Sequence, residues 1–160
     1  MIKRISLLLL VVIGLVTLGC NKDDDPLTLQ EQYDAIDKYI KKNDLKNVQT
    51  TTSGLRYTIT REGAGAFPRV NEVVTVNYEG KLLSGKKFDS SYDSGEAFKF
   101  TLGVGKVIKG WDEGVALLPV GSEAILLIPS NLGYGTRGFG DDIGANQVLV
   151  FKIEVLDSKR

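Results

Sequence analysis

The sequence predicts an α+β fold, an antiparallel β-sheet with one short α-helix lying against it, preceded by an N-terminal helix and an export leader. Three observations predict it. Past residue 52, apolar side chains recur every second residue, the period of a half-buried strand. Within that region, Val107 to Leu118 breaks the rhythm, with Trp111 and Val115 four apart and Leu118 a further turn on. Ahead of it, Leu29, Tyr33, Ile36 and Ile40 form one stripe at three- and four-residue spacing.

The elements follow in order. Lys3 and Arg4 precede an apolar stretch from Ile5 to Leu18 that ends at Gly19 and Cys20. A basic start, a short apolar core and a small residue at the boundary form a secretory signal over residues 1–19. The stretch falls short of the about 20 residues a membrane-spanning helix needs, although an uncleaved short anchor is the alternative. Residues 20–27 hold the acidic run Asp23-Asp24-Asp25 before Pro26, either a solvated tether or a tag for surface display. A calcium loop there is disfavoured, because its ligands need wider spacing and a glycine. Residues 28–51 make a helical spacer. Thr28 and Glu31 fit a capping box, and the stripe implies weak packing or simple separation from a membrane.

The domain proper spans 52–160. Leu55, Tyr57 and Ile59 alternate, as do Val74, Val76 and Tyr78, and Phe98, Phe100 and Leu102; Glu123 to Ile128 and Val148 to Leu156 are further apolar runs. Gly63-Ala64-Gly65, Ser84-Gly85 and Ser94-Gly95 supply turns between them. The segment from Pro129 to Asn146 is rich in glycine and makes an excursion over one mouth of the sheet.

Composition excludes much chemistry. The chain has no histidine, and Cys20 is its one cysteine. Ser-His-Asp and Cys-His catalysis and a His- or Cys-ligated zinc site are therefore ruled out, and no metal or cofactor is expected. Lys and Arg total 20 against 20 Asp and Glu, so no basic surplus points to nucleic acid. Gly80 to Lys86 matches a phosphate-loop spacing, but Lys87 stands where Ser or Thr is required and no helix follows. Gly103 and Gly105 lack the third glycine of a dinucleotide fingerprint. Asp141 and Asp142 are adjacent and point apart, a poor carboxylate pair for glycoside hydrolysis.

Two resemblances add to this reading. Val16-Thr17-Leu18-Gly19-Cys20 resembles the lipobox of bacterial lipoproteins, with Thr17 where leucine is more usual. It implies acylation of Cys20 and a lipid anchor on a bacterial membrane, with the outer membrane the expected one. Residues 53 to 157 resemble the FKBP family of prolyl isomerases. Val76-Asn77-Tyr78-Glu79-Gly80, Gly85-Lys86-Lys87-Phe88-Asp89-Ser90-Ser91 and Phe98-Lys99-Phe100 carry the resemblance. So do Val107-Ile108-Lys109-Gly110-Trp111, Tyr134-Gly135 and Leu149-Val150-Phe151, all in order and at family spacing.

The resemblance implies a sheet curled around the short helix and a prolyl pocket. Its catalytic residues would be Tyr78, Phe88, Asp89, Trp111, Tyr134 and Phe151, with Phe98, Val107, Ile108 and Ile143 binding substrate. The proline ring would rest on Trp111, while the Ile108 N–H and the Tyr134 hydroxyl hold the ligand. Taken singly, Phe98, Phe100 and Phe151 would be core fillers, Asp89 a turn residue and Tyr134 a loop anchor. Two departures matter. Ser94 stands where many members carry an arginine that pairs with the pocket aspartate, so Asp89 needs another partner, with Tyr78 the candidate. Phe139 replaces a common flap histidine, and Asp141 and Asp142 replace more apolar residues. The expected partners are Xaa-Pro segments of exported proteins and, weakly, macrolides of the rapamycin type, met by a monomeric enzyme. A non-catalytic chaperone or surface binding module of the same fold is the alternative.

Overall fold

The computed structural model describes residues 27–160. The expected leader, Cys20 and the aspartate run lie outside the described residues. Helix α1 (Leu29–Lys42) opens with the predicted capping box: Thr28 Oγ1 accepts from the Glu31 N–H at 3.3 Å, and Glu31 Oε2 accepts from the Thr28 N–H at 2.9 Å. Seven strands follow. They are β1 (Gln49–Thr50), β2 (Arg56–Arg61), β3 (Val73–Leu82), β4 (Lys87–Ser90), β5 (Phe98–Thr101), β6 (Glu123–Ile128) and β7 (Leu149–Lys159). Helix α2 (Ser91–Ser94) sits between β4 and β5, and α3 (Lys109–Val115) between β5 and β6.

The strands form one antiparallel sheet in the order β1-β2-β6-β7-β3-β4, and β5 shares the outer edge of β3 with β4. The long β3 and β7 pair from Val73–Lys159 to Leu82–Leu149, with a register shift between Thr75 and Val76. Such a shift bends a strand and increases its twist, and the sheet curls so that one face wraps α3. Leu55, Val74, Val76, Leu102, Leu126, Ile128, Leu149, Ile153 and Val155 close on Trp111 and Val115 from that face. Gly110 and Gly114 bring α3 close. A Cβ at Gly110 would stand 2.6 Å from Ile128 Cγ2, and one at Gly114 2.7 Å from Leu126 Cδ1.

The helix is shorter than its apolar spacing predicts. It begins after Ile108 and ends at Val115, so Leu118 reaches the core from the turn that follows. Helix α2 was not foreseen in the sequence. Ser90 caps it by accepting from the Tyr92 N–H at 3.2 Å, and Gly95 closes it at φ 72°.

Helix α1 corrects the expectation of a weakly packed spacer. Ile36 is fully buried against Leu127, Val148 and Val150 on the outer face of β6 and β7. Burying such a side chain stabilises by roughly 1.5–3 kcal/mol. Arg56 joins the contact, with its Nε 3.1 Å from Asp37 and its guanidinium 5.0 Å from the Tyr33 ring centre. Gln32 is also buried; its Oε1 accepts from the Ser130 N–H at 2.8 Å, and its Nε2 donates to the Leu27 carbonyl at 3.1 Å. Leu29, the first residue of the expected stripe, faces solvent. The central strands are thus covered on both faces, which explains why Ala124 to Ile128 is an unbroken apolar run rather than an alternating one.

Candidate active site

Sheet and helix leave an opening between the N-terminal end of α3 and the loops at one mouth, a cleft of about 490 Å³. All ten residues expected at a pocket line it: Tyr78, Phe88, Asp89, Phe98, Val107, Ile108, Trp111, Tyr134, Ile143 and Phe151. Lys106, Phe139, Gly140 and Asp142 complete the wall. Lys106 had no sequence signal, because it precedes the apolar pair as an ordinary loop cation.

Trp111 forms the floor. As the third residue of α3 it is held by rings on its flanks, with Tyr78 at 5.0 Å, Phe151 at 5.2 Å, Phe100 at 5.6 Å and Phe98 at 5.9 Å between centroids. Tyr78, Phe98 and Phe151 meet it nearly edge-on, the favoured arrangement for aromatic quadrupoles. Its Nε1 is buried with no hydrogen-bond partner among the described residues. Phe88 stands against Phe151 at 5.5 Å. Gly80 makes room for both, since a Cβ there would lie 2.6 Å from Phe88 and 2.8 Å from Phe151. The rings do not share one fate. Phe100 and Phe151 are buried core residues, whereas Phe98, expected on its own merits to fill the core, is 39% exposed at the rim.

The polar groups are few. Asp89 accepts from the Tyr78 hydroxyl at 2.6 Å and from the Ser90 N–H at 2.8 Å, and no basic side chain pairs with it among the described residues. Tyr78 thus occupies the partner role left open by Ser94, whose own hydroxyl donates to the Ser91 carbonyl at 3.0 Å. Burial, then the hydrogen bond to Asp89, pushes the Tyr78 hydroxyl well above its ordinary range, so it remains a donor at neutral pH. Burial, then the charge of Asp89, likewise raises Tyr134. A second, shallower recess of about 570 Å³ opens beyond Asp89, lined by Ser94, Glu96 and Lys99.

Two donors of residues lining the cleft are unengaged among the described residues. Ile108 ends in extended geometry just before α3, and nothing among the described residues accepts from its N–H. The Tyr134 hydroxyl also has no partner there, while its ring stacks on Phe139 at 4.8 Å. The excursion carrying Tyr134 begins with a 3₁₀ turn (Ser130–Leu132) and folds back through a paired bridge between Phe139 and Ile143. Asp142 ties it to the β3–β4 turn, its carboxylate 2.8 Å from Lys86 Nζ. The two glycine motifs are turn geometry: Gly103 and Gly105 donate their N–H groups to the Asp112 carboxylate at 2.8 and 2.9 Å, and Gly85 turns the β3–β4 hairpin.

A cleft with these features has the shape and apolar lining to receive a ring against an indole, with two donors among its lining residues that have no partner among the described residues. It holds neither a nucleophile activated by a base nor a proton shuttle.

Comparison with known proteins gives the same picture. Residues 65–156 match the family model described as FKBP-type peptidyl-prolyl cis-trans isomerase. A probable FKBP-type peptidyl-prolyl cis-trans isomerase FkpA of Neisseria meningitidis is 48% identical over 119 residues, covering 74% of this chain and 43% of that protein. FK506-binding protein 1 of Dictyostelium discoideum is 48% identical over 106 residues, covering 66% of this chain and 99% of that protein. The crystal structure of FkpA from Escherichia coli superposes with a TM-score of 0.71 at 39% identity, over 79% of this chain and 58% of that one. The chain spans less than half the length of the bacterial curated relatives it matches.

Proposed function

The chain belongs to the family of FKBP-type peptidyl-prolyl cis-trans isomerases, and from that premise we propose that its cleft isomerises Xaa-Pro bonds in exported proteins. One observation carries the reading: Trp111 floors an aromatic cleft lined by two donors without partners among the described residues, the Ile108 N–H and the Tyr134 hydroxyl.

The chemistry asked of the site is rotation about one bond. Resonance gives the amide C–N bond double-bond character and a barrier of roughly 18–20 kcal/mol, so uncatalysed exchange takes about 10–100 s. Water strengthens that resonance by hydrogen bonding to the carbonyl of the planar amide. The twisted amide has lost the resonance and carries a less polar carbonyl. An apolar cleft therefore favours the twisted form over the planar one, and only such differential binding accelerates a reaction. In the proposed pose the proline ring lies on Trp111 between Tyr78, Phe98 and Phe151. The Ile108 N–H and the Tyr134 hydroxyl hold neighbouring carbonyls, so that rotation acts on the prolyl bond alone. Asp89, which accepts from the Tyr78 hydroxyl, would lie beside the substrate in that pose.

The same proposal extends to place. The signal-like leader and Cys20 support export and anchoring by acyl chains, where one chain holds weakly and two or more hold stably. Macrolides of the rapamycin type would bind more weakly than to members that carry the arginine at the Ser94 position. Exchange spectroscopy on a short Xaa-Pro peptide tests the activity: catalytic amounts of the protein should speed cis–trans exchange. Binding of the peptide without faster exchange would refute catalysis and leave the chaperone reading.

A further inference from the structure

We infer that Gln32, on the outer helix α1, is a positioning residue for Tyr134 and sets the catalytic competence of the cleft from the opposite face of the sheet. The inference rests on the isomerase reading above.

A glutamine at the centre of an apolar contact is costly unless its amide is satisfied. Gln32 is 1% exposed and engaged at both ends of its amide: Nε2 donates to the Leu27 carbonyl, and Oε1 accepts from the Ser130 N–H at 2.8 Å. Ser130 is the first residue of the 3₁₀ turn that launches the excursion over the cleft. Its carbonyl accepts from two amides at once, those of Gly133 and Gly135, each at 2.9 Å. These two residues bracket Tyr134. The Gly135 carbonyl in turn accepts from the Asn146 N–H at 2.8 Å, where the excursion returns towards β7. A path therefore runs from the α1 side chain to the Ser130 N–H, across the backbone of Ser130 to its carbonyl, and from there by hydrogen bonds to both sides of Tyr134.

Nothing else along α1 requires a polar residue at this point. Ile36, one turn on, seats the helix by packing on Leu127, Val148 and Val150. The glutamine instead holds the Pro129–Ser130 peptide, and with it the start of the turn whose next carbonyl binds Gly133 and Gly135. Without its acceptor, the Ser130 N–H would be buried and unpaired, and the turn would tilt to recover a partner. The Tyr134 hydroxyl, at the far end of the lever, would leave the position from which it meets a substrate carbonyl. Because Gln32 lies outside residues 65–156, this contact is added from beyond the segment matched by the family model.

The test uses the full chain carrying Gln32→Leu, Tyr134→Phe and both together, with Ile36→Val as a control for loosened helix packing. Gln32→Leu should lower kcat/KM for an Xaa-Pro peptide by roughly twofold to threefold, chiefly in kcat and by no more than Tyr134→Phe does, because it misplaces the hydroxyl that Tyr134→Phe removes. In the Tyr134→Phe background the same substitution should change nothing further, and Ile36→Val should leave kcat/KM at the wild-type value. Equal losses in both backgrounds, or no loss in either, would overturn the inference. Amide hydrogen exchange at Ser130, Gly133 and Gly135 reads the link without turnover, and Gln32→Leu should speed all three relative to the core strands. Unchanged exchange at those amides overturns the link. A wild-type protein that fails to accelerate exchange of the peptide overturns the isomerase reading instead, so the two failures are distinct.

Discussion

Tyr134 brings to the cleft a hydroxyl without a partner among the described residues, so removing it should affect substrate and little else. Tyr134→Phe leaves the ring to stack on Phe139 and should reduce kcat/KM about threefold to tenfold, the value of one hydrogen bond lost in the transition state. Thermal unfolding should stay within a degree or two of wild type, and a large drop would mean that the hydroxyl is structural. Tyr78 behaves differently, because its hydroxyl is bound to Asp89 and its ionisation is pushed upward by burial first. The unfolded chain gives up that proton near pH 10, whereas the folded chain holds it longer. The stabilisation from this group is therefore complete below about pH 10 and is lost as pH rises towards the folded value. Ultraviolet titration of the six tyrosines should show a last-ionising phenol that disappears in Tyr78→Phe. A single transition for all six at the ordinary value would contradict the arrangement.

Among the elements, α1 carries more of the fold than its sequence suggests. Ile36→Ala should destabilise by about 2–5 kcal/mol through lost burial and a cavity under β6 and β7. Urea unfolding measures it, and a change below 1 kcal/mol would mean the helix is detached in solution. The strands that bury one face, such as Val74-Val76-Tyr78, were legible because alternation is the direct print of one wet and one dry face. Glu123 to Ile128 was legible as a strand, but not as one with a second cover, since burial on both faces erases the alternation that would reveal its partner. Gln32 was invisible for a related reason. A polar residue inside a helix stripe looks like solvent exposure until the Ser130 amide facing it is known. The aromatic cleft was legible in its membership because the ring positions keep family spacing. Single-residue reasoning misplaced Phe98, whose apolarity says nothing about which side of the cleft rim it occupies.

For the molecule as a whole, the absence of histidine and the single cysteine set the kind of catalysis available. The cleft joins a core face, two unengaged donors and an excursion that is tied to the β3–β4 turn by Lys86 and Asp142. That ion pair is exposed and contributes little to stability. In the proposed mechanism the catalytic effect comes from exclusion of water and from fixed donors rather than from proton transfer. The most direct measurement is the pH dependence of kcat/KM on an uncharged Xaa-Pro peptide, in ordinary and heavy water, across about pH 6 to 9, where an acid or base tuned for proton transfer near neutral pH would titrate. A flat profile with no solvent isotope effect is the predicted result. A bell-shaped profile, or a clear isotope effect, would show that a proton moves in the transition state and would contradict catalysis by shelter alone.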